Sequence, residues 1–183
     1  MKLQVRKGVF ECNSSSTHSI AIANEQIPSV YLPEKCVFDY GEFGWEERTI
    51  ETTEEKASYL YTSLYYVMYD DPALWKKYIT FIFDTLTKHG VECEFNGTIT
   101  TEVSIYNRSA KPMLYFSQNI RGDGYVDHGS NTREFVDAVC THEDLLLSFL
   151  FSKKSFVMTG NDNDDSDVNI HVDYPYVEFY KGN

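Results

Sequence analysis

The dipeptide Asp71-Pro72, where two helical periodicities meet with no residue to spare, constrains this chain most. Upstream, Thr52 and Glu55 form a capping-box pattern, and Ala57, Leu60, Tyr61, Leu64, Tyr65 and Met68 recur at helical spacing until Asp70 and Asp71 end the run. Downstream, Asp71 can accept from orphan N–H groups, and Pro72 suits the first helical position, where an N–H is not needed. Leu74, Trp75, Tyr78, Ile79, Ile82, Phe83 and Leu86 then make an apolar stripe that Gly90 closes. Two helices joined this tightly predict a helical hairpin, and its apolar faces must be covered by the rest of the chain.

The remainder reads as short strands and two shorter helices. Lys2 to Val5 alternates, and so does Thr17 to Ala23, where Ser16, His18, Ile20 and Ile22 share the face that the isoleucines mark as buried. His18 is expected at the rim of the core. Val30 to Leu32 and Cys36 to Tyr40 are strand candidates; Gly41 and Gly44 bracket a turn, and Trp45 to Ile50 is expected to pair back as a hairpin arm. Asn96-Gly97 predicts a hairpin between Val91–Phe95 and Thr98–Tyr106. Met113 to Phe116 and Tyr125 to Asp127 are further strands. Helices are expected over Thr132 to Cys140, after an Asn131/Thr132 cap, and over Glu143 to Phe151, with Thr141 and Asp144 as a capping pair. Ser155–Thr159 and Tyr176–Tyr180 are the last strands, with an acidic loop, Gly160 to Asp167, between them. Strands and helices without regular βαβ alternation imply a single α+β domain: a mostly antiparallel sheet packed against the helical hairpin and the two shorter helices.

A chain of 183 residues can bury a sufficient core without staples. Its four cysteines, Cys12, Cys36, Cys93 and Cys140, are widely spaced, with no pair of zinc-finger type. That spacing, and a charged N-terminus without an apolar leader segment, lead to the expectation of free thiols in a host cytoplasm. No run is long enough for a membrane span. The net charge of −12 disfavours direct nucleic-acid binding and attracts basic protein surfaces, although charge alone fits better an acidic surface that only aids solubility. The sequence contains no Walker loop, dinucleotide fingerprint, zincin helix or basic stripe, and no cofactor is expected.

The most unusual segment is Arg6 to Ser19, in which five hydroxyls fall within residues 14–19. Arg6, Glu11, Asn13, Ser14, Ser15, Ser16 and His18 are its candidate ligand-binding or loop-shaping side chains: Ser and Asn bond nearby backbone in tight turns and also offer neutral donors to an anion. Phe10-Glu11-Cys12-Asn13-Ser14-Ser15-Ser16-Thr17-His18-Ser19 resembles the signature F-E-T-N-S-S-S-x-H-S of a family of small proteins from bacteriophages and phage-bearing bacteria, with Cys12 in place of the usual Thr. The similarity extends to Phe43-Gly44-Trp45-Glu46, Asp127-His128-Gly129-Ser130 and Thr159-Gly160-Asn161-Asp162-Asn163-Asp164. The resemblance implies a phage or prophage origin and a role in the host cell; it carries over no catalytic residue.

Three functional expectations follow. The first is an anti-CRISPR-type inhibitor that presents carboxylates to the basic groove of a CRISPR effector nuclease or its guide complex. Its partner-binding residues would be Glu42, Glu46, Glu47, Glu51, Glu54 and Glu55 together with Asp162, Asp164, Asp165 and Asp167. The second is a small hydrolase or metal-dependent enzyme combining the Ser-rich loop with His18, Asp127 and His128. The third is a structural phage protein that forms a homodimer through its aromatic surface. Asp162, Asp164 and Ser166 start a calcium-loop spacing, but Asp167 stands where Gly is required and Asp173 replaces the closing Glu, so a solvated acidic loop is expected and no metal.

Overall fold

A computed structural model describes residues 16–44, 46–96, 99–102, 113–116, 124–127, 132–161 and 177–181. The expected strand at Lys2–Val5, the motif up to Ser15, His128 and the acidic loop from Asp162 onward lie outside the described residues.

The chain opens with β1 (Ser16–Ala23) and a 3-10 turn at Ser29–Tyr31, then runs through β2 (Lys35–Phe38), β3 (Glu42–Phe43) and β4 (Arg48–Ile50). Helices α1 (Thr53–Asp70) and α2 (Pro72–Lys88) follow, separated by Asp71 alone. Next come β5 (Glu92–Phe95), β6 (Ile99–Glu102), β7 (Met113–Phe116) and β8 (Tyr125–Val126). The last elements are α3 (Arg133–Val139), α4 (Glu143–Phe151), β9 (Phe156–Asn161) and β10 (Val177–Lys181). The fold is α+β, and its largest sheet, in the order β10-β1-β9-β4, is antiparallel throughout.

The helix signals act as expected. The Glu55 N–H donates to Thr52 Oγ1, whose hydroxyl donates in turn to the Glu55 carboxylate. Asp71 Oδ1 accepts from the N–H groups of Ala73 and Leu74. At the far end Gly90, with φ of 81°, lets Val91 N–H reach Leu86 O and Gly90 N–H reach Thr87 O, the paired bonds of a Schellman motif. Trp75, Tyr78, Ile79, Ile82, Phe83 and Leu86 are buried as the stripe predicts.

Strand pairing departs from expectation in three places. Trp45–Ile50 does not return on Cys36–Tyr40: β4 pairs with β9, and β2 pairs in parallel with β5. The 53 residues between Phe38 and Glu92 explain the second pairing, because α1 and α2 form the long crossover that a parallel neighbour needs. Among the described residues β5 and β6 share no ladder, and Gly97, in the expected turn, lies outside them. Asn96 N–H bonds Phe38 O, prolonging the β2 pairing, and β6 pairs with β7. Finally, Val30–Leu32 is no strand but lies largely in the 3-10 turn.

Two smaller corrections concern caps and faces. The residue capping α4 is His142, not Thr141, whose hydroxyl instead donates to Asp137 O. Thr132 does precede α3, but without a side-chain cap bond. On β1 both faces are covered: Ala21 and Ala23 are as buried as Ile20 and Ile22, as befits a strand with neighbours on each side and α4 packed on it.

Candidate functional site

His18 stands opposite Thr159 on β9 and is 3% exposed, so it belongs to the core rather than to its rim. Its Nδ1 lies 3.2 Å from the hydroxyl of Tyr59, which is wholly buried and whose ionisation burial strongly opposes. Tyr59 packs edge-on against Phe43 at 5.2 Å and near Phe135 at 5.9 Å. Asp127 meets the same Phe43 through its backbone. Its N–H donates to Phe43 O, and its charge acts on Tyr66, whose hydroxyl is pushed upward by burial first and by Asp127 next. Among the described residues no group of three or more His, Cys, Asp and Glu is placed to hold a metal ion.

The glutamates of the expected partner surface lie on one continuous stretch from β3 through β4 to the start of α1. Glu42, Glu46, Glu47, Glu51 and Glu54 are exposed. Glu55 differs. Burial raises its carboxyl, but hydrogen bonds from Arg48 and Thr52 outweigh that and hold it below the usual range, so it serves the helix start. Glu46 is anchored at its backbone, where its carbonyl accepts from Thr159 Oγ1 at 2.7 Å. Residues 25–56 carry nine carboxylates against three cations, half of the chain's net charge. Of those cations, Arg48 pairs with Glu55, Lys35 pairs with Glu94, and Lys56 is buried. The exposed glutamates therefore keep most of their charge facing solvent.

Lys56 is a feature that residue pattern alone does not reveal. It is 1% exposed beneath the α1 start, with Nζ donating to Ser152 O at 2.6 Å and to Ser155 O at 3.1 Å, at the end of α4. Burial lowers its pKa to about 8, with Glu51 and Glu25 acting in the opposite direction. The ammonium thus ties the acidic segment to the turn before β9. Glu25 adds a second tie by accepting from Ser152 Oγ and pairing with Lys154 at 3.0 Å.

Beside this segment lies a group of tyrosines on the C-terminal half of α1. Gly41 N–H donates to Thr62 Oγ1 at 3.0 Å, Tyr125 N–H donates to Gly41 O at 2.9 Å, and Tyr66 Oη donates to Val126 O at 2.6 Å. These bonds hold β3 and β8, a parallel pair, against α1. A Cβ on Gly124 would come within 2.3 Å of Gly41 O, so this approach requires glycine. The α1 stripe of Ala57, Leu60, Tyr61, Leu64, Tyr65 and Met68 leaves out Tyr69, which is 82% exposed.

Compared with known proteins, the chain matches no family model, no curated protein and no solved structure. No helix among the described residues is long and apolar enough to cross a membrane.

Proposed function

We propose that the protein is an acidic binding module of phage type that inhibits a nucleic-acid-handling host protein by occupying its basic groove, with a CRISPR effector nuclease or its guide complex as the first candidate. The observation that carries this reading is the exposure of Glu42, Glu46, Glu47, Glu51 and Glu54 within residues 25–56, whose three cations are buried or paired. A groove built to hold polyphosphate attracts such carboxylates at long range and binds them in competition with nucleic acid. The resemblance of residues 10–19 to the phage signature supplies the biological setting.

The test is DNA cleavage by purified effector–guide complexes of several types, with the protein in excess. Inhibition is expected, and it should weaken with added salt because exposed charges are screened beyond roughly 8 Å at physiological ionic strength. A variant carrying Glu46→Gln, Glu47→Gln, Glu51→Gln and Glu54→Gln should inhibit at least tenfold less, by the roughly 1.4 kcal/mol that such a factor requires. Undiminished cleavage across all effectors tested would sink the proposal.

A further inference from the structure

Residues 39–43, 61–71 and 124–127, gathered by the β3–β8 pair against α1, contain six tyrosines and five carboxylates with no lysine or arginine. Tyr40 and Tyr65 are half-buried, and their rings stand at 89° with centroids 6.3 Å apart. Tyr40 is fixed from behind by buried Tyr61, at 4.6 Å. Tyr69 follows one turn after Tyr65 and is 82% exposed, while Tyr125 is 40% exposed and lies in register with Glu42. Asp39, beside Tyr40, is exposed as well.

We propose that this tyrosine-lined half of α1 is a docking face for arginine side chains of a basic protein partner, an assignment that rests on the reading of the partner as cationic. The exposed ring of Tyr69 and the half-buried ring of Tyr65 present electron-rich faces on one side of α1, and the neighbouring carboxylates add negative potential. A guanidinium suits this combination better than an ammonium, because its plane stacks on a ring while its fork donates to a carboxylate. Tyrosine also provides rigid contact area with little entropy to lose, as interface anchors do. The acidic segment attracts the partner, and the tyrosine face selects arginine over lysine.

The test uses fluorescence anisotropy with a labelled nine-residue arginine peptide and a nine-residue lysine peptide of the same charge. Wild-type protein is expected to bind the arginine peptide tighter by about threefold or more. Tyr69→Ala, at an exposed position that folding does not need, should reduce that preference. The double variant Tyr65→Leu/Tyr69→Ala, with its fold verified by circular dichroism, should abolish it. Tyr31→Ala, which removes a tyrosine 76% exposed on the 3-10 turn, should leave it intact. Equal binding of the two peptides, or a preference that survives the double variant, overturns the arginine assignment while the cationic-partner reading stands. Failure to bind either peptide overturns both.

Discussion

Replacing Lys56 with Met changes how stability depends on pH, and the structure fixes the direction. Burial lowers the Lys56 pKa from its ordinary 10.5 to about 8. Below pH 8 the amine is charged in both folded and unfolded chains, and the folded state carries the full desolvation cost, on the order of 3 kcal/mol. Between pH 8 and 10.5 the unfolded chain still holds the proton while the folded chain has released it, so stability rises with pH. Above 10.5 both forms are neutral and that cost is gone. The neutral amine keeps two N–H groups, enough for Ser152 O and Ser155 O, so deprotonation need not break the tie. Methionine does not titrate, and other groups cancel when wild type and variant are compared. The advantage of wild type over Lys56→Met should therefore grow by about 2 kcal/mol between pH 7 and pH 9.5. Urea unfolding of both proteins at pH steps across this range measures it. A difference that stays flat would show that the buried amine titrates as in water, and the reasoning from burial would fail.

Two substitutions of glycine separate steric from conformational demand. Gly124→Ala puts a methyl against Gly41 O and should destabilise by roughly 1–3 kcal/mol in urea unfolding. Gly90→Ala meets no atom within 4 Å and bears only the strain of its positive φ, about 1 kcal/mol; a smaller effect at Gly124 than at Gly90 would contradict the close β3–β8 approach. The thiols supply a second check. Burial pushes Cys36 up to about 12 and raises Cys93 and Cys140 well above the ordinary value. All three should resist iodoacetamide at pH 8 in the native state and react in urea, read by peptide mass spectrometry; rapid native alkylation at any of them would refute their burial.

Local chemistry was legible because it acts within a few residues. Thr52 with Glu55, Asp71 with Pro72, and Gly90 announced two helices and their single-residue joint, since each satisfies orphan backbone groups next to itself. Pairing was not legible, because strand partners are chosen by whichever edge the folded chain brings near. Asn96-Gly97 carries a hairpin signal, yet among the described residues β5 pairs with β2, with Asn96 N–H prolonging that pairing, and β6 pairs with β7. The buried placement of His18 against Tyr59 and the inward turn of Lys56 likewise depend on segments far away in the chain.

By itself the amino-acid sequence determined the helical hairpin, the α+β class and a glutamate-rich stretch from Glu42 to Glu55, because caps, periodicity and charge are properties of neighbouring residues. The tertiary structure alone decided that α1 and α2 bridge two parallel strands, that Glu55 is spent on Arg48 and the helix start, and that Tyr40 meets Tyr65 while Tyr125 stands in register with Glu42. Each of these depends on which apolar faces cover one another, a competition among distant segments that no local pattern records.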